Sequence, residues 1–230
     1  MHMRTLRRAC FALLLSFGAH AAAAAPPEPS PFLDAKPCFS VGYDDFMARL
    51  AGKSGADASK LAMIRQKFPR AQYEHAQERL DCQAIRYESD GLAIMGWMVA
   101  PKTAPAGKKL PVVIFNRGGN GSFGALRFVD LFGHAFPLAE QGFLVLASQY
   151  RGVTDSEPEK FGTDEFGGAD VNDVRKLIAL ARQVPGADAD NIFLLGFSRG
   201  VMQGYLAARN GTDIRAMAMV NGVVDLQADL

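Results

Sequence analysis

Apolar residues recur along this chain in two rhythms, and the rhythm changes near Cys82. Before Cys82 the spacing is helical. Residues 43–50 place Phe46, Met47 and Leu50 on one side, and Gly52 to Gly55 breaks the pattern. Asp57–Lys67 carries Leu61 and Ile64 at helical spacing, with Phe68 following. Pro69 stops that helix, because proline disfavours the α conformation in the residue before it. Arg70–Leu80 reads as a third helix. After Cys82 the period shortens. Ala84–Ser89 and Leu92–Ala100 are β-like runs around Asp90-Gly91, a two-residue hairpin signal. Pro101–Lys109 is polar and reads as a surface loop. Strand and helix patterns then alternate. Val112–Phe115, Phe143–Ser148, Ile192–Gly196 and Met217–Val220 are short apolar runs of the kind buried in a parallel sheet. Phe128–Gln141 is helical, with Pro137 expected to kink or split it. Asp170–Gln183 shows one apolar stripe of Val171, Val174, Leu177, Ile178 and Ala181, and Arg199–Arg209 forms the last helix. The alternation predicts an α/β domain with a mostly parallel sheet over residues 82–230. A small helical prefix over residues 26–81 precedes it, beginning with a proline-rich lead from Pro26 to Pro37.

The first 25 residues read differently. Arg4, Arg7 and Arg8 precede the apolar stretch Ala9–Ala19, the small residues Ala21–Ala25 follow, and Pro26-Pro27 ends the run. A basic patch, a short apolar region and a small-residue cleavage site make a secretory signal peptide. The apolar stretch is shorter than the roughly 20 residues of a membrane-spanning helix. We therefore expect a secreted or periplasmic protein that has no membrane association after cleavage. Removing residues 1–25 leaves 205 residues and shifts the net charge from +1 to −2. Near-neutral charge gives no reason to expect nucleic acid as a partner. A hydrophobic fraction of 49% excludes a disordered chain. Cys10 lies inside the signal, which leaves Cys38 and Cys82. In an exported protein this pair permits one disulfide, and two buried thiols are the alternative.

Two glycine-rich segments carry candidate chemistry. Gly196-Phe197-Ser198-Arg199-Gly200 fits Gly-x-Ser-x-Gly between a predicted strand and a predicted helix. A turn this tight strains the serine backbone and exposes its oxygen at the carboxyl end of the sheet. The Arg199 N–H, at the start of the helix, points to the same place and can stabilise an oxyanion. The alternative is a tight turn in which the serine only caps the helix. The second segment, Asn116-Arg117-Gly118-Gly119-Asn120-Gly121, directly follows the strand Val112–Phe115. Glycines there let main-chain N–H groups approach a ligand, so Gly118 and Gly119 are candidates for a second oxyanion donor. A plain turn is the alternative. Phosphate binding is disfavoured, since neither Gly-Lys-Ser/Thr nor Gly-x-Gly-x-x-Gly occurs. Asp170 and Asp173 fall in the first turn of their helix and read as structural, favourable against its dipole. Arg151 follows a strand end and either reaches the cleft or pairs with an acid.

These segments resemble the α/β-hydrolases, and specifically the catalytic domain of prolyl oligopeptidase-type serine peptidases. The matching stretches are Val112–Gly121, Ala147–Gly152, Glu165–Asp170 with Asp173, and Gly196–Gly200, spanning roughly residues 84–226. The resemblance implies that Ser198 is the nucleophile, with oxyanion donors from the Arg199 N–H and the loop around Gly118. It implies a small peptide or ester substrate and no cofactor. Two departures stand out. Arg117 occupies the place where the family commonly has histidine in His-Gly-Gly, and Val201 stands where a second glycine is frequent.

A serine hydroxyl needs a base to accept its proton, and in α/β-hydrolases the chain order is Ser, then Asp or Glu, then His. The four histidines are His2, His20, His75 and His134, and none follows Ser198. Asp225 is the best-placed downstream carboxylate, with an ordinary loop aspartate as the alternative reading. His134 is expected on a helix against a sheet face, and His75 on a polar, solvated helix. We therefore expect a hydrolase-type sheet incomplete at its C-terminal edge, a chain that stops before its acid and histidine, and no activity in this form. A non-catalytic binding or scaffold protein on the same fold, and an esterase or lipase, remain alternatives. No metal site is predicted, because neither His-Glu-x-x-His nor clustered Cys/His spacing occurs.

Overall fold

The structure is a computed structural model that describes residues 30–55, 57–104, 107–154, 158–209, 211 and 213–222. The predicted signal peptide and Asp225 lie outside the described residues. The strands are β1 (Asp34–Pro37), β2 (Leu80–Ser89), β3 (Leu92–Pro101), β4 (Leu110–Asn116), β5 (Leu144–Ser148), β6 (Ala187–Phe197) and β7 (Ala216–Val220). They form one seven-stranded sheet in the order β1-β2-β3-β5-β4-β6-β7. The pairings from β1 through β2 and β3 to β5 are antiparallel, and those joining β5, β4, β6 and β7 are parallel. The sheet is therefore mixed, with the parallel half holding the apolar runs. The helices are α1 (Tyr43–Ser54), α2 (Ala58–Lys67), α3 (Arg70–Arg79), α4 (Ala135–Glu140), α5 (Pro158–Phe161), α6 (Asp170–Ala181) and α7 (Arg199–Ala208).

The hairpin forms as its sequence dictates. Asp90 and Gly91 take φ of 51° and 79°, the two left-handed positions that a two-residue turn of matching twist requires. Ser89 then pairs with Leu92. In β4 the side chains alternate between faces although the whole run is buried. Val112 and Ile114 join the core beneath α6, while Val113 and Phe115 join the core on the other face. Such a strand has no polar face to show, which is why its sequence reads as continuously apolar.

The second face carries α1, α2, α3 and α4 over an aromatic cluster. Phe46 stacks on Tyr73 with centroids 5.0 Å apart, and Phe39 meets Tyr73 edge-on at 5.4 Å. The two buried phenol hydroxyls find carbonyl acceptors, Tyr43 donating to Phe68 O at 2.8 Å and Tyr73 to Val41 O at 2.7 Å. Cys38 and Cys82 are joined in a disulfide with Cα atoms 5.3 Å apart, which resolves the alternative left open by the sequence. It fastens the start of the prefix to β2, beside the β1–β2 ladder.

Several boundaries differ from the sequence pattern. The proline-rich lead contains β1, whose side chains are mostly exposed and so carry no alternation to read. Strand β2 begins at Leu80 rather than Ala84, and α1 continues through Gly52. The expected helix 128–141 is divided, but at His134 rather than at Pro137. Phe128–Gly133 is a 3₁₀ segment, His134 leaves the helical region at φ −127°, and α4 starts at Ala135. Pro137 then sits in the first turn of α4, where its missing N–H would have had no helical partner.

The connections decide where a ligand fits. From β4 the chain passes through the 3₁₀ segment and α4 to β5 on one side, while from the neighbouring β6 it passes through α7 to β7 on the other. The loops leaving the carboxyl ends of β4 and β6 therefore part company. That divergence opens the crevice in which open α/β sheets bind ligands.

Candidate active site

Ser198 and Gly118 lie on those two loops. Ser198 links β6 to α7 with φ 53° and ψ −123°, a conformation that a side-chain-bearing residue adopts at a cost. Its backbone is held on both sides: Ser198 N–H donates to Val220 O at 3.0 Å, and its carbonyl accepts from Val201 N–H at 3.0 Å. Glycine is required beside it for space. A Cβ on Gly200 would lie 2.0 Å from Asn116 O, and one on Gly196 would lie 2.5 Å from Gly200 O. The turn thus closes against the end of β4, and Ser198 itself is exposed. Arg199 opens α7, so its N–H belongs to the first helical turn, which has no intrahelical acceptor.

The loop after β4 comes within contact of the serine. A Cβ on Gly118 would stand 3.0 Å from Ser198 Cβ and 3.6 Å from its Oγ. Gly119 is left-handed at φ 74°, and a Cβ there would meet Phe123 O at 2.1 Å. The loop therefore folds back on itself in a way that only glycine permits. Beside it lies a cleft of about 450 Å³ lined by Phe123, Leu126, Arg127, Asp130 and His134 among others.

Beneath this surface sits a buried polar layer that the sequence only partly disclosed. Arg117 is 1% exposed. Its guanidinium donates to four backbone carbonyls: Gly118 at 2.9 Å, Gly121 at 2.9 Å, Phe123 at 3.3 Å and Gln149 at 2.6 Å. It also lies 5.0 Å from the centroid of the Tyr150 ring, whose hydroxyl donates to Arg117 O at 3.1 Å. Burial pushes the Arg117 guanidinium below its ordinary value. The Gln149 side chain closes the far end of the loop, donating to Leu126 O at 2.6 Å and accepting from Leu126 N–H at 3.0 Å.

The Arg199 side chain turns away from the solvent and joins the elbow to the loops. It pairs with Asp164 at 2.5 Å and with Asp170, and it donates to Gly119 O at 3.1 Å. Asp170 also accepts from Gln203 and from Gly167 N–H at 3.0 Å. Asp164 accepts from Gly121 N–H at 2.7 Å and Phe166 N–H at 2.8 Å. Burial alone would raise the Asp164 carboxyl. Hydrogen bonds from Arg199 and from these two N–H groups outweigh it and hold the carboxyl below its usual range.

Asp170 and Asp173 are structural, as expected, but they act as buried partners of Arg199 and Arg151 rather than as dipole caps. Arg151 pairs with Asp173 at 2.7 Å and with Asp90 at 2.8 Å, so it braces the hairpin turn against α6 instead of entering the cleft. The hydrogen bonds it donates to Asp173 raise the Arg151 guanidinium above its ordinary value. Asp164 was missed in the sequence because it stands in an irregular loop with no motif. Only its contacts with Gly121 and Arg199, 43 and 35 residues away, give it a role.

Neither described histidine completes a charge relay. His134 is exposed, with its ring 5.3 Å from that of Phe115 and 5.9 Å from that of Phe197. His75 faces Glu140 at 3.6 Å. Among the described residues no hydrogen bond joins the Ser198 hydroxyl to an imidazole or a carboxylate, and no cluster of His, Cys, Asp and Glu could hold a metal ion. No described helix is long and apolar enough to cross a membrane.

No protein-family model matches the chain. Over 143 residues it is 34% identical to the uncharacterized peptidase YtmA of Bacillus subtilis (strain 168), an alignment covering 62% of this chain and 51% of the relative. The chain thus spans about half the length of that curated relative. Among solved structures, a protein of Klebsiella pneumoniae subsp. pneumoniae MGH 78578 assigned as a dienelactone hydrolase superposes with a TM-score of 0.50. It is 20% identical, covering 64% of this chain and 61% of the other. The acylaminoacyl peptidase of Pyrococcus horikoshii superposes with a TM-score of 0.48 at 22% identity, covering 70% of this chain and 25% of its own.

Proposed function

With the α/β-hydrolase fold of this chain as the premise, we propose that it carries the nucleophile and oxyanion groups of an exported serine hydrolase acting on peptide or ester bonds. The observation that carries the reading is the strained Ser198 at the sheet's switch point, with the Gly118 backbone against it. In this reaction Ser198 Oγ attacks the carbonyl carbon of the substrate, and its proton passes to a base. The carbonyl oxygen takes up the negative charge and accepts hydrogen bonds from Arg199 N–H and from the N–H groups at Gly118 and Gly119. The C–N or C–O bond then breaks, the amine or alcohol leaves with a proton, and water hydrolyses the acyl-serine. The curated relative is named a peptidase, which favours a peptide over an ester. Export is supported by the N-terminal pattern and by the Cys38–Cys82 disulfide, since such bonds persist in oxidising compartments.

A second reading, a non-catalytic binding protein, is favoured by one observation: neither His75 nor His134 serves Ser198. Labelling with a fluorophosphonate, followed by intact mass over hours, separates the two. Oxyanion donors and binding alone sustain roughly 10³–10⁴-fold catalysis over water when a triad member is missing, so slow modification of Ser198 is the expected result. Modification that is absent, or that persists in Ser198→Ala, overturns the hydrolytic reading.

A further inference from the structure

The loop after β4 presents a question of polarity. An oxyanion needs N–H groups, yet a glycine-rich loop is free to turn either its carbonyls or its N–H groups toward the serine. In this chain two buried side chains decide which way it turns. In a trans peptide the C=O of one residue and the N–H of the next point in opposite directions, and no cis peptide occurs among the described residues. Tyr150 OH holds Arg117 O at 3.1 Å, so the Gly118 N–H faces away from Tyr150. Arg117 Nη1 holds Gly118 O at 2.9 Å, so the Gly119 N–H faces away from the guanidinium. Tyr150 and Arg117 lie in the interior, 0% and 1% exposed. Both N–H groups are therefore directed outward, and Gly118 is the residue whose Cβ position contacts Ser198. The same guanidinium gathers Gly121 O and Phe123 O. The turn is thus fixed as a unit rather than at one bond.

We infer that Arg117, seated on Tyr150, is the positioning residue that sets the oxyanion loop, drawing its carbonyls inward so that the Gly118 and Gly119 N–H groups face the substrate. The inference rests on the reading of Ser198 as a nucleophile. A planar guanidinium suits the task because it presents five donors in a fixed fork. An imidazole has two nitrogens and cannot reach the same set of carbonyls. The guanidinium also draws on the backbone just past the end of β5, through Gln149 O.

The test uses the 230-residue protein with its disulfide intact and two readouts: fluorophosphonate labelling of Ser198, and amide hydrogen exchange over residues 118–126. In Arg117→Met the maximal labelling rate should fall at least about tenfold, less than the roughly 10²–10³-fold lost when an oxyanion donor is removed outright, because the N–H groups remain but are no longer held in place. The probe concentration giving half that rate should not change. Exchange over the loop should rise while that of β4 and β6 stays as in the wild type. Arg117→Ala should regain labelling when free guanidinium is added at tens of millimolar, a recovery that a merely structural role would not show. Where Arg117→Met fails to fold by circular dichroism, Arg117→Lys carries the comparison. It keeps the charge but lacks the fork, and it too should label more slowly. Wild-type labelling in the folded variant, or loop exchange unchanged from wild type, overturns the inference. If the wild-type protein shows no Ser198-dependent labelling, the hydrolytic reading fails separately. The loop exchange of Arg117→Met then decides the positioning role, an unchanged pattern overturning it and a local rise sustaining it.

Discussion

Replacing Cys38 and Cys82 by alanine together should destabilise the protein by about 4 kcal/mol. The crosslink joins residues 44 apart, and closing a loop of that length removes about 4 kcal/mol of chain entropy from the unfolded state at 25 °C. The enclosed segment contains α1, α2 and α3, so the loss falls on the docking of the whole prefix rather than on one contact. For a chain of this size each kcal/mol moves the melting midpoint by roughly 2–4 °C, which places the expected shift at about 8–16 °C. Urea unfolding gives a second signature. An uncrosslinked chain exposes more surface when unfolded, so the slope m should rise while the midpoint falls. Trp97 is the single tryptophan. It pairs across the ladder with Ala84 and donates to Leu126 O at 2.9 Å, so its fluorescence reports on the prefix face of the sheet. The reduced wild type should match the double variant. Midpoints within about 2 °C of the oxidised protein, or an unchanged m, would refute the entropic reasoning and show that the prefix is held by its aromatic packing alone.

Three further outcomes follow from the site. Ser198→Gly should stabilise the protein by about 1 kcal/mol, because glycine adopts φ 53° without the cost a side chain incurs; Ser198→Ala retains that cost and should show no such gain in thermal melts. Asp170→Asn leaves the buried Arg199 with Asp164 as its one carboxylate partner among the described residues, and should cost about 3 kcal/mol in urea unfolding, the low end for breaking a buried pair. The depressed Asp164 carboxyl contributes stability that is fully present above the ordinary value of about 4 and is lost as pH falls through its lower folded value. Protection of the 118–124 amides should therefore persist at pH 5 and decline only below about pH 4. Asp164→Asn should remove that acid dependence, and an unchanged acid limb in this variant would refute the assignment.

How far the sequence could be read depended on how local the cause was. The hairpin at Asp90-Gly91 and the elbow at Ser198 were legible because each backbone conformation demands particular residues at adjacent positions. The stripe of α6 was legible because its period is local as well. The edge strand β1 was not, since exposed side chains on a short strand leave no alternation. The split at His134 was misplaced onto Pro137, because proline breaks a helix interior but not a first turn, and only the fold shows where the first turn begins.

The sequence by itself determined the α/β alternation, the strained serine and the glycine loop. These depend on residue type and short spacing. Only the tertiary structure decided that Cys38 and Cys82 pair, that Arg151 turns to Asp173 rather than to the cleft, and that Arg117 gathers the carbonyls of its own loop. Each of those outcomes depends on groups brought together from distant positions, or on a chain reversal that side-chain chemistry alone does not specify. A long flexible cation or a lone thiol has many possible partners along the chain. The pairing of β1 with β2 fixes the partner of the thiol, and the packing around strands β4 and β5 fixes those of the two cations.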